Sequence, residues 1–136
     1  MKAIVRQATA CLLTAAVCTA HAEYATIEEA AAITDDNVFR FERDSIVRQG
    51  DVRRFDVTVA WRDGVIRPEG AAPRRVVRYL VKCSAKEIAL ASVATFGISG
   101  ETTKLYGIAP GGWDYAVPTA GTREAEWLTK ACAEPL

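Results

Sequence analysis

The sequence predicts an α+β fold: a six-stranded antiparallel β-sheet with a C-terminal α-helix packed on one face and tethered by a disulfide. Three observations point there. From Val52 to Trp61, the residues Phe55, Val57, Val59 and Trp61 alternate with Arg54, Asp56, Thr58 and Ala60, the period of two of a half-buried strand. Thr122 stands ahead of Glu124, Glu126 and the apolar set Trp127, Leu128, Ala131 and Cys132, which is the pattern of a capped amphipathic helix. Cys83 lies in phase with Val77, Tyr79 and Val81, and Cys132 with Leu128, so a bond between them would hold the helix on the buried face of the sheet.

The elements follow in chain order. Tyr24-Ala25-Thr26-Ile27 reads as a short first strand, although Glu28 to Ile33 has helical composition. Val38 to Phe41 is the second, followed by Asp44-Ser45-Ile46 and the turn Gln49-Gly50-Asp51. Val52 to Trp61 is the third, and Asp63-Gly64 with the stretch from Pro68 to Pro73 forms a long connector. Arg75 to Cys83 is the fourth strand. The fifth runs from Glu87 to Phe96, with Ile88, Leu90, Ala94 and Phe96 assigned to one face. Gly97 to Gly100 turns the chain into the sixth, Thr102 to Tyr106; a Gly-rich loop then carries Trp113 and Tyr115, and Pro118 closes the β region. A run of strands before a single helix is an antiparallel α+β order.

The N-terminus has the form of an export signal. Lys2 and Arg6 precede an apolar run from Ala8 to Ala20, and Ala20-His21-Ala22 supplies small residues at a cleavage site. The run is shorter than the ~20 residues that span a bilayer, so no transmembrane segment is expected. A buried N-terminal helix is the bland alternative. Lipidation at Cys18 is disfavoured by the bulk of Val17 just before it. Residues 1–22 are therefore expected to be a cleaved signal peptide and 23–136 a single domain, placed in the periplasm or on the outer surface of a bacterium.

Composition narrows the function. With 50% hydrophobic and 25% charged residues the chain is not disordered, and 17 basic against 17 acidic side chains leave no broad footprint for nucleic acid or an acidic membrane. Without residues 1–22, 15 basic face 17 acidic side chains, a net charge of −2. The single His, His21, leaves with the signal, and with it go the commonest activating base and every imidazole ligand. Two remaining cysteines cannot build a four-thiolate zinc site or an ordinary iron–sulfur cluster. No Gly-rich phosphate loop is present, Asp35-Asp36-Asn37 lacks the Gly and distant Glu of a calcium loop, and Glu124 and Glu126 point in different directions. The expectation is a protein that is not an enzyme and carries no metal site and no cofactor.

An exported chain meets oxidising conditions, and its two cysteines, Cys83 and Cys132, then read as a disulfide. Pairing between chains and two buried free thiols are the alternatives. No Cys-x-x-Cys pair is present, so the bond is read as structural.

Ten basic residues against six acidic ones lie between Arg40 and Arg78, a local charge of +4. Arg53, Arg54, Arg74, Arg75 and Arg78 are therefore the candidate recognition surface for an acidic or sulfated partner, since the guanidinium fork binds carboxylate or sulfate in a bidentate manner. A solvated sheet face with scattered ion pairs is the competing reading. Trp113 and Tyr115 are a candidate aromatic patch, set against rim packing, and Trp61 is assigned to the core.

The order of landmarks resembles the surface-adhesin protein E family of bacterial envelope proteins. The matching pieces are the signal peptide, Phe41-x-x-Asp44-Ser45-Ile46 before a Gly turn, the long alternating strand, the strand ending at Cys83, then Trp113, Pro118 and a short helix ending in Ala131-Cys132. Glu28 to Ile33 is more Ala-rich than the family pattern, and a lipid-attachment Cys is missing. The resemblance implies a six-stranded sheet with the helix tied to its concave side, adhesion to host extracellular-matrix or serum proteins, and in some cases a homodimer. Two function readings follow. The first is a non-enzymatic envelope protein that binds other proteins. The second is a periplasmic accessory or small-ligand-binding module that uses the groove between helix and sheet.

Overall fold

The computed structural model describes residues 26–136. The predicted signal peptide and the start of the predicted first strand, Tyr24 and Ala25, lie outside the described residues. A short helix α1 (Ile27–Ala31) is followed by β1 (Asn37–Gln49), β2 (Val52–Trp61), β3 (Arg74–Lys82), β4 (Glu87–Phe96), β5 (Thr102–Gly107) and helix α2 (Arg123–Ala133). The strands form one antiparallel meander in sequence order. Among the described residues the sheet thus has five strands rather than the six expected. Thr26 and Ile27, assigned to the missing strand, instead start α1: the Thr26 hydroxyl accepts from Glu29 N–H at 3.2 Å and the Glu29 carboxylate accepts from Thr26 N–H at 2.8 Å, a reciprocal capping box.

One face of the sheet is buried. Phe55, Val57, Val59, Val77, Val81 and Val93 are sealed from solvent, and with them Trp127 and Ala131 of α2. An aromatic row joins sheet to helix: Phe41 packs on Phe55, Phe55 on Tyr79, and Tyr79 on Trp127, with ring centroids 5.0, 5.7 and 5.4 Å apart. Burial pushes the Tyr79 phenol well above its usual range, with the Glu124 charge adding to it, so this ring stays neutral. Thr122 caps α2 by accepting from Ala125 N–H. Cys83, in the β3–β4 hairpin loop, is bonded to Cys132 across a Cα separation of 5.6 Å. Helix and sheet are therefore joined where the sequence predicts.

Two irregularities decide which side chains face where. β2 ends its hairpin with β1 through the two-residue loop Gly50-Asp51, in which Gly50 takes φ +62°, the left-handed first position of a type II′ turn. Upstream, the four residues from Arg43 to Ile46 lie opposite Phe55 alone. There the Ser45 hydroxyl accepts from Asp56 N–H at 2.8 Å and donates to the Glu42 carbonyl at 2.6 Å, replacing ladder bonds that the bulge removes. In β4, Arg78 pairs with Ser92 while Tyr79 pairs with Leu90, so Ala91 is an extra residue. Ile88 and Leu90 pack against the core, but after the bulge it is Val93 that does so. Ala94 and Phe96 therefore face the other side, contrary to the single face assigned to Ile88, Leu90, Ala94 and Phe96. One inserted residue reverses the alternation of everything after it.

Candidate functional site

The five candidate arginines divide between the two faces of the sheet, and parity explains the division. Arg53 lies in phase with Phe55, and Arg75 with Val77, so both point to the helix-covered side. Each works as a helix stop. Arg53 donates to the carbonyls of Ala131 and Glu134 at the end of α2, at 2.8 and 2.6 Å. Arg75 donates to the carbonyls of Ala30 and Ala32 at the end of α1, at 2.6 and 2.9 Å, and to Asn37 Oδ1 at 3.2 Å. These carbonyls are among those a helix leaves without intrahelical partners, and a cation there also suits the negative end of the dipole. Asn37 completes the arrangement, buried and accepting from Thr34 N–H while its amide donates to the Ala60 carbonyl.

Arg54, Arg74 and Arg78 occupy the opposite face, which no helix covers but on which Leu80 and Ala89 are buried toward one end. Arg78 is neutralised there: it makes a bidentate pair with Asp56 at 2.8 and 3.0 Å, which raises its own affinity for the proton. Arg74 stacks over the Phe96 ring at 4.5 Å, and neither Arg54 nor Arg74 pairs with a carboxylate among the described residues. At the far end of β3, Lys82 Nζ stands 3.9 Å from the centre of the Tyr115 ring. Tyr115 and Trp113 are each half-buried, in the loop that the Ile88–Ala116 bridge holds against β4. This face thus carries Arg54 and Arg74 outside any ion pair among the described residues, Arg74 near enough to act on the Glu42 carboxyl, and Lys82 over an aromatic ring, while Arg53 and Arg75 do not belong to it.

This division makes an early test. Arg53→Met and Arg75→Met each strand buried or half-buried carbonyls and are expected to lower stability by about 1–3 kcal/mol. Arg54→Ala is expected to stay within about 0.5 kcal/mol of wild type. Urea unfolding of the three variants checks this, and equal losses would refute the helix-stop assignment.

The open face also carries a polar ladder, Arg40–Glu42–Thr58. Glu42 accepts from the Thr58 hydroxyl and from Arg40, both at 2.7 Å, and these bonds hold its carboxyl below the usual range. A folded carboxyl that binds its proton less tightly than the unfolded one stabilises the fold above the unfolded value, and that contribution is lost as pH falls through the folded value. Glu42 is half-buried and its Arg40 partner exposed, so the ladder's worth is under about 1 kcal/mol. Glu42→Gln should therefore lower stability by under about 1 kcal/mol at pH ~7, and the difference from wild type should shrink as pH falls below ~5, read by urea unfolding across that range.

A cleft of about 720 Å³ opens on the helix-covered side, at the end of the sheet away from α2. Its walls are α1, the 62–73 connector and the ends of β3, β4 and β5. Trp61 is half-buried there rather than in the core, and its indole N–H donates to the Ala72 carbonyl at 2.9 Å, pinning the connector. Arg75 forms part of the floor. Burial opposes its charge, but no carboxylate pairs with it among the described residues. Arg67 and Lys104, which sequence reasoning did not single out, stand at the rim.

Among the described residues, no three His, Cys, Asp or Glu side chains come together in a way that could hold a metal ion, and no helix is long and apolar enough to cross a membrane. Compared with family models, curated proteins and solved structures, the chain shows no significant match to any of them.

Proposed function

We propose that this is an exported, non-enzymatic cell-envelope protein that binds another protein through the helix-free face of its sheet. The observation that carries the reading is the asymmetry of the two faces. One is packed under both helices, with a disulfide and two arginine stops; the other has no helix over it, buries Leu80 and Ala89 toward one end, and carries Arg54 and Arg74 outside any ion pair among the described residues and Lys82 beside Tyr115. Such a face suits an acidic or sulfated surface, in keeping with the resemblance to surface-adhesin protein E and its host matrix and serum partners. An oxidising location is supported by the Cys83–Cys132 bond. The β1 edge is long enough to admit a homodimer by strand addition.

The direct test uses Arg54→Ser/Arg74→Ser in binding assays against immobilised matrix and serum proteins. The double variant is expected to keep its melting temperature and lose about tenfold or more in affinity. Unchanged binding would refute the open face as the contact.

The cleft favours a second reading, a periplasmic module that takes a small ligand between a helix and the sheet. Here the helix is α1 rather than the C-terminal one.

A further inference from the structure

We infer that the cleft beside α1 is a site for a small organic anion, a carboxylate carried on an apolar body. The inference rests on the second reading above and names its ligand class. Three cations, Arg67, Arg75 and Lys104, line the cleft against one carboxylate, Glu29. Glu29 is engaged at the other end of α1, where it accepts from Thr26 N–H. None of the three cations has an acidic partner among the described residues, whereas Arg78, Arg40 and Arg43 all do. Cations outside ion pairs also occur elsewhere, Arg54 and Arg74 among them; what sets the cleft apart is that three of them share one concavity with a single carboxylate.

The cations also differ in kind. Arg75 is fixed: two backbone carbonyls and Asn37 Oδ1 hold its terminal nitrogens, so its charge stays at the floor without rearrangement when a ligand enters. Lys104 and Arg67 are exposed and line the cleft from two different elements, β5 and the connector. They can close on an anion that the fixed charge attracts, and each charge-assisted hydrogen bond is stronger than a neutral one. Thr95 and Thr103, 2.7 Å apart through their hydroxyls, add neutral polar groups to the same wall. Trp61, Pro73 and Tyr106 supply apolar surface. An inorganic anion would leave that surface unused. An apolar body with a single carboxylate engages both, as a small-molecule site with few polar groups on mostly apolar walls requires.

The test is a titration of the isotope-labelled, oxidised protein followed by NMR, with benzoate and hexanoate as probes. Benzamide and hexanamide serve as neutral matches, and sodium sulfate as the anion without an apolar body. The acids are expected to shift amides around the cleft and to bind about tenfold or more tightly than their amides. Arg67→Ala/Lys104→Ala, which removes no helix stop, is expected to abolish that preference, while Arg54→Ala on the other face leaves it intact. Amides that bind as well as the acids would overturn the anion inference and keep a ligand cleft. Sulfate binding as tightly as the acids would overturn the apolar-body requirement. No cleft shift with any probe at about 10 mM would overturn the small-ligand reading together with the inference.

Discussion

Reducing the Cys83–Cys132 bond, or replacing both cysteines with serine, is expected to lower stability by about 4 kcal/mol. The bond spans 49 residues of sequence, so its loss returns a large loop to the unfolded ensemble. That is a large share of the ~5–15 kcal/mol available to a domain of this size. The effect has a local side as well. α2 is the last element of the chain, and Cys132 lies in its final turn next to Ala131, whose carbonyl accepts from Arg53. Without the bond, the end of α2 is held by Arg53, by the Arg43–Glu134 pair and by Trp127. Melting with and without reductant should show a drop on the order of 20 °C, with amide exchange rising first in α2. A drop of only a degree or two would mean that helix docking does not depend on the bridge.

Trp127→Ala is expected to cost about 3–5 kcal/mol. The ring is fully buried and meets Phe39 and Tyr79, each with centroids 5.4 Å away, so its removal empties the centre of the helix–sheet contact. Trp127→Phe should cost much less than its lost volume suggests. Among the described residues the indole N–H is buried without a hydrogen-bond partner, and a phenyl ring carries no such group. Denaturant unfolding of the two variants separates these contributions. A loss for Trp127→Phe as large as its lost volume predicts, or larger, would mean that the indole nitrogen is satisfied in solution.

The fold was legible where local pattern and burial agree. The alternation from Phe55 to Val59 and from Val77 to Val81 marks strands whose buried side is continuous, and Thr122 ahead of Glu124 announces α2. Thr26-x-x-Glu29 carried a capping-box signal for α1, but the β-type residues Tyr24 and Ile27 masked it. The Ala91 bulge left no mark, because small residues fit either face of a sheet. The arginine cluster shows a different limit. Parity with Phe55 and Val77 placed Arg53 and Arg75 on the covered face, yet charge alone grouped them with Arg54, Arg74 and Arg78. Their partners are the ends of two helices, 78 and 45 residues away in sequence for the Ala131 and Ala30 carbonyls. Only the packed structure brings those together. Arg67 and Lys104 were missed for the same reason: the cleft exists because Trp61 fixes a connector whose sequence reads as a plain loop.

The most direct test of the proposal that this is an envelope protein whose helix-free sheet face meets an external partner is protease accessibility on intact cells, with osmotically opened cells as the control. Digestion on intact cells, with partner binding lost in Arg54→Ser/Arg74→Ser, is the expected result. Protection until the outer membrane is opened would contradict adhesion and leave the periplasmic ligand reading in its place.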